Sequence, residues 1–301
     1  MKIHHSLFFQ KKFWILLILF CLDFTVSPVS GDEKKVLSFG VIPQQSASKL
    51  AWKWTPIIDY ISAKSGYKIN FETAPDIPEF ERRLQNGKYD IAYMNPYEYT
   101  VFSKTNGYKV FAKQKGERLS GILVVRKDED IKSINDLSGK NLVFPSPEFF
   151  ASSIITREHL LKNGIDIIPE FIDSDVSVYR AVANGTFPAG GGVIRTLNNM
   201  ERDVQQQLRI LWVSKSYSPH AFASHPSVSD DVIKIILRVM VEMKNDPEAS
   251  NLLRSIQFNG IEAANDSEWN DIRALKIKAV YDQSEQPHLV QKPLAIEAVP
   301  D

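Results

Sequence analysis

Five times along the chain a short β-rich run gives way to an amphipathic helix that a glycine ends, and few folds accommodate that alternation. "KVLSFGVIP" (35–43) precedes a helical pattern over 49–66 closed by Gly66, and "YKINFET" (67–73) precedes one over 77–87 closed by Gly87. "YDIAYM" (89–94) leads into 95–107, where Pro96 stands in the first turn and its missing N–H costs nothing. "KNLVFPSP" (140–147) leads into 151–164, and "PEFIDS" (169–174) into 177–185. Further strands are expected at "YKVFAKQ", "LSGILVVRK", "PAGGGV" and "QLRILWVS", and long helical stretches at 229–245 and 265–283. Strands that alternate with helices predict an α/β fold built on sheets with helices packed over them.

The first residues stand outside this pattern. "MKIHHSLFFQKK" carries positive charge, "FWILLILFCL" (13–22) is apolar, and "SPVSG" offers small residues for cleavage up to Gly31. The apolar run is short of the roughly 20 residues that span a bilayer. Residues 1–31 therefore read as a signal peptide, and the expected location is a periplasm. The single cysteine, Cys21, lies in this segment, so disulfides and thiol chemistry are excluded from the exported chain. Acylation of Cys21 is the alternative, although Phe20 before it is a poor match for a lipidation site. The chain has 36 basic and 36 acidic side chains and thus no electrostatic footprint for nucleic acid.

The runs "LSFGVIP", "YDIAYMNPYEY", "SINDLSGKNLVFPSP" and "SVYRAVANG", in that order, resemble the periplasmic binding proteins for phosphonate, phosphite and phosphate that serve ABC transporters. The resemblance covers roughly 36–283, and the order of its motifs, more than any one of them, carries it. It implies a type II periplasmic-binding-protein fold: two α/β lobes, each a mixed sheet flanked by helices, joined by crossing strands near 115–124 and 215–226. The implied division is 32–120 with 221–285 for the first lobe, 121–220 for the second, and a tail at 286–301. It also implies a monomer that closes on a small anionic ligand, a permease as partner, and neither cofactor nor metal. The alternative is a ligand-sensing module read by a membrane kinase or receptor, with a changed ligand.

Carried residue by residue, the resemblance places Gln44, Gln45 and Ser46 at one strand-to-helix turn of the first lobe and Tyr93, Asn95 and Tyr97 at the next. In the second lobe the family's Ser-Thr-Ser clamp falls, by alignment on "SP", on Phe149, Phe150 and Ala151. Two readings stay open. Either the phenylalanines meet an apolar part of the ligand, or they pack inward and Ser152 and Ser153 are the clamp. Ser146 belongs to the same loop. The family's acidic residue falls on Val176, one past Asp175, and Ser174, Asp175 and Ser177 are equally ordinary helix caps. Tyr179 follows on the same helix.

"AGGGV" (189–193) lacks the spacing of a phosphate or dinucleotide loop, so close packing of a strand is the better account of its glycines. Arg195 just beyond it is either a neutralising cation or a solvated one. His220 and His225 lack a third metal ligand at useful spacing. Trp52 and Trp54 are expected in the core. No nucleophile elbow, zincin motif or supported triad occurs, and an enzyme is not expected.

Overall fold

The computed structural model describes residues 36–277. The expectations for the export segment, Cys21 and the tail from 278 onward lie outside the described residues. β1 (Leu37–Val41) leads into α1 (Ala47–Ser65), then β2 (Ile69–Glu72), α2 (Ile77–Gln85), β3 (Ile91–Met94), α3 (Pro96–Thr105) and β4 (Lys109–Gln114). On α1, Leu50, Trp54, Ile57, Ile58 and Ile61 are buried at three- and four-residue spacing, which is the stripe a helix turns toward a core. Gly66 closes α1 at φ 72°, a left-handed backbone that glycine adopts without steric cost.

β5 (Gly121–Arg126) and β6 (Asn141–Phe144) follow, then a π-helix (Phe150–Ile155) that runs directly into α4 (Thr156–Lys162). Next come β7 (Ile168–Phe171), α5 (Asp175–Ala183), β8 (Ala189–Val193), α6 (Ile194–Asn198), α7 (Arg202–Gln207) and β9 (Leu208–Val213). The chain then returns through β10 (Ala221–Ser224), α8 (Asp230–Glu242), α9 (Pro247–Ser255), β11 (Ile261–Ala263) and α10 (Asn270–Arg273).

These strands form two mixed sheets. The first has the order β11-β4-β10-β3-β1-β2 and the second β7-β6-β8-β5-β9. β1 is parallel to β2 and β3, whereas β10, which arrives from the second sheet, slots antiparallel between β3 and β4. In the second sheet β6 is parallel to β7 and β8, and β5 is antiparallel to β8 and β9. Each sheet with its helices is one lobe. The two connecting segments meet at Leu119 and Tyr217, which exchange backbone hydrogen bonds of 2.9 and 2.8 Å.

One apolar cluster lies under α1, α8 and α9, and the two faces of the second sheet carry one each. The fourth spans the lobes: Phe150, Ala151, Ile154 and Ile155 from the π-helix pack with Ile42, Met94, Tyr97, Tyr217 and Trp269. The π-helix lies this close to its own sheet because two strand residues lack side chains. A Cβ on Gly121 would stand 2.1 Å from the Ala151 carbonyl oxygen, and one on Gly191 would stand 2.1 Å from that of Ser152. Gly192 similarly makes room for the Tyr179 ring.

Several local expectations change. The helix expected at 151–164 starts as a π-helix, and of the long helix expected at 265–283 the described residues, up to 277, form a 3-10 turn (Asp266–Trp269) and the short α10. Lys276 at φ 49° is incompatible with its continuing. α9 and β11 were not anticipated, because a three-residue strand carries too little alternation to be read. Trp54 is in the core, but Trp52 is 73% exposed, since it lies off the buried stripe of α1.

Candidate functional site

Buried polar atoms are normally hydrogen-bonded, and leaving one unsatisfied costs about 1–3 kcal/mol. Between the lobes, Ser153 Oγ on the π-helix, Asp175 Oδ1 at the start of α5 and His220 Nε2 just before β10 are enclosed with no partner. Ser152 on the π-helix lies beside the Asp175 carboxyl group and favours its charged form. Arg195, in the first turn of α6 at the end of β8, exerts its charge on Asp175 and on His220 and Tyr93 of the facing lobe.

Burial determines the protonation of these groups. It raises the Asp175 carboxyl to about 7, against the opposing pull of Ser152 and Arg195. It drives the His220 imidazole down to about 3, with Arg195 adding to the effect, so His220 is neutral at physiological pH. Tyr93 on β3 stacks face to face on His220, with centroids 5.1 Å apart and planes 19° apart. Desolvation keeps its phenol protonated far above the ordinary range. On its other side Tyr93 meets Trp54 at 4.9 Å and Phe222 at 4.7 Å, so the first-lobe core fixes its ring. The result is two groups neutral at physiological pH, Tyr93 and His220, a carboxyl group whose ionisation burial opposes, and one cation nearby, which is an arrangement for holding an anion.

The residues singled out in the sequence divide into three groups. Tyr93, Ser152, Ser153, Asp175 and Arg195 belong to the set just described. Gln44, Gln45, Ser46, Ser146 and Phe149 line a separate cavity of about 410 Å³ between the N-terminus of α1 and the loop after β6. There the Ser146 hydroxyl is already committed to the Glu148 carboxylate. The remaining residues serve the framework. Asn95 caps α3 in a reciprocal box with Glu98, and its Nδ2 donates to the Glu148 carbonyl of the other lobe at 3.5 Å. Tyr97 is buried in the cluster that spans the lobes.

Phe150 is 2% exposed and meets Tyr217 edge-on at 5.7 Å, so it is packing between the lobes and does not line the polar set. Ser174, not Asp175, caps α5, and it does so by accepting from the Ser177 N–H, which assigns Ser177 to the cap and leaves the Asp175 carboxyl uncommitted to it. The Tyr179 hydroxyl donates to the Val193 carbonyl at 2.7 Å and is spent there. Sequence reasoning weighed His220 only as a metal ligand. The better signal was a histidine at the entry to "AFAS", the wholly buried strand that follows the second crossing. Among the described residues no cluster of His, Cys, Asp and Glu could hold a metal ion.

Comparison with known proteins places this geometry in context. Residues 39–269 match the family model described as "ABC transporter, phosphonate, periplasmic substrate-binding protein". The phosphonates-binding periplasmic protein of Escherichia coli (strain K12) is 25% identical over 276 residues, covering 86% of this chain and 81% of its own. Among solved structures, a binding protein component of an ABC phosphonate transporter from Pseudomonas aeruginosa superposes with TM-score 0.70 at 19% identity, over 81% of this chain and 86% of its own. PhnD1 from Prochlorococcus marinus, in complex with methylphosphonate, superposes with TM-score 0.70 at 15% identity, over 80% and 97%. The fold is that of type II periplasmic binding proteins.

Proposed function

This chain belongs to the family of periplasmic substrate-binding proteins of phosphonate ABC transporters, which bind and do not catalyse, and on that premise we propose that it captures a phosphonate- or phosphate-like oxyanion between its lobes and delivers it to a permease. The observation that carries this reading is the set of enclosed, unpartnered atoms Ser153 Oγ, Asp175 Oδ1 and His220 Nε2, under the charge of Arg195. Phosphoryl oxygens supply the acceptors that hydroxyl and imidazole N–H groups lack, and Asp175 in its protonated form, which burial favours, donates to such an oxygen instead of repelling it. Closure then removes the unsatisfied-atom penalty, so ligand and closed state stabilise each other. The expected location is the periplasm, reached through the N-terminal segment.

Calorimetric titration with phosphate, phosphite and methylphosphonate, with sulfate and glutamate as controls, tests the reading. One of the phosphorus oxyanions should bind, and Ser153→Ala and His220→Ala should each weaken it by about tenfold or more, as expected for a lost hydrogen bond to a charged group. Binding of glutamate without binding of any phosphorus oxyanion would overturn it.

A further inference from the structure

The cavity of about 410 Å³ beside the α1 N-terminus is charged with one sign only. Asp76, Glu148 and Asp173 line it, and no Lys, Arg or His does; nor does any member of the oxyanion set. Its walls are the loops that leave the C-terminal ends of β1 and β2 in one lobe and of β6 and β7 in the other, the position at which parallel strands commonly hold ligands. Glu148 is 9% exposed, and a glutamate is rarely buried so deeply without a cationic partner. Its Oε2 accepts from the Ser146 hydroxyl, but its Oε1 has no partner, and Glu148 makes no ion pair among the described residues. Unlike Ser153 Oγ and Asp175 Oδ1, that oxygen is not sealed off by protein, so it opens on the cavity that the residue lines. Arg157, the cation behind this loop, is directed elsewhere: it donates to the Pro147 carbonyl at 2.6 Å and stands over the Phe171 ring, 5.3 Å from its centre. Asp173 is exposed and has neither an ion pair nor a side-chain hydrogen bond among the described residues. A buried carboxylate left uncompensated is costly, so what the cavity lacks is a positive charge.

We infer that this cavity is a second ligand site, separate from the oxyanion set, for an organic cation of the ammonium or guanidinium class. Its charge meets Glu148 and Asp173, and its carbon framework meets Phe149 and Phe171, whose rings also favour a positive charge. The mixed acidic and aromatic lining suits an organic cation better than a bare metal ion, and among the described residues no cluster of side chains could hold a metal. The volume is that of a small-molecule site. Because both lobes supply the wall, an occupant touches both and favours their approach.

The full chain is titrated calorimetrically with choline, with agmatine, and with the alcohol that has carbon in place of the choline nitrogen. Choline or agmatine should bind at least about tenfold more tightly than the uncharged alcohol, as expected for a hydrogen-bonded or desolvated charge. Which of the two leads distinguishes ammonium from guanidinium. Glu148→Gln keeps the side-chain shape and an oxygen for Ser146, and it should weaken the better cation by about tenfold or more. Asp173→Asn alters an exposed residue without internal bonds, so it should leave the fold intact and weaken the same cation by about two- to fivefold, the range of an exposed ion pair. Circular dichroism checks that both variants are folded. Equal affinity for the uncharged alcohol, cation binding that neither substitution changes, or no binding of either cation at millimolar concentration would each overturn the inference. All three would leave the oxyanion reading standing, because it rests on other residues.

Discussion

Replacing Gly191 with alanine tests how the clamp segment is held. The added Cβ would stand 2.1 Å from the Ser152 carbonyl oxygen and 2.6 Å from the Phe144 ring, where ordinary contact begins at 3.4 Å. Backbone or ring must therefore give by about 1.3 Å. β8 cannot supply that movement, because it is hydrogen-bonded to β5 on one side and β6 on the other. The π-helix must lift instead, carrying Ser152 away from Asp175. Overpacking of this kind typically costs about 1–3 kcal/mol, and a clash with backbone on one side and a buried ring on the other belongs at the upper end. About 3 kcal/mol corresponds to a melting temperature about 6–12 °C lower for a domain of this size. Thermal unfolding followed by circular dichroism reads the first effect and calorimetric titration with the best-binding phosphorus oxyanion the second, which should be a loss of at least tenfold. A variant that melts within about 2 °C of the parent and keeps its affinity would refute the claim that the strand glycines seat the clamp.

Phe150→Ala empties a nearly fully buried ring site between the lobes and should cost about 3–5 kcal/mol, with Phe150→Leu recovering much of it; weakened ligand binding at an unchanged melting temperature would instead mean that the ring touches ligand. In the folded chain Asp175 holds its proton up to about pH 7 while the unfolded carboxyl releases it near 3.8, so this group makes stability fall as pH rises between those values, and Asp175→Asn should remove that slope. His220 acts in the opposite sense: the unfolded imidazole takes up a proton below 6.5 and the folded one only near 3, so stability falls as pH drops through that window and His220→Gln should flatten it. Melting temperatures across pH 4–8 measure both, and because the two slopes oppose each other, each single variant should show more pH dependence of the other's sign than the parent does.

The alternation of strands and glycine-stopped helices was readable in the sequence because each element carries its own periodicity: the buried stripe of α1 and the unbroken "ILVV" of β5 follow directly from the faces they cover. The π-helix was not, since its apolar residues satisfy an α pattern equally well and the difference lies in backbone contacts with Gly121 and Gly191, far off in the chain. Two-lobe sites pose the same difficulty. Ser152 comes beside Asp175, and Arg195 acts on Asp175 and on His220, only after the crossings have brought separate stretches together. Local chemistry also misleads at caps: Asp175 stands where capping residues occur, yet Ser174 makes the bond.

The rung between Leu119 and Tyr217 has a mechanical consequence. Two independent tethers would let one lobe tilt, twist and slide against the other. Two tethers pinned to each other by a reciprocal pair of hydrogen bonds are constrained to move together, which opposes sliding of one lobe past the other and favours rotation about the rung. Lobe separation is then a scalar, and any one distance across the cleft reports it. With Cys21 the only native thiol in the sequence, a pair of introduced cysteines, one on the exposed face of α1 near Trp52 and one near the exposed Ile168 on β7, the sheet edge away from the crossings, provides clean labelling positions for reading that scalar by energy transfer.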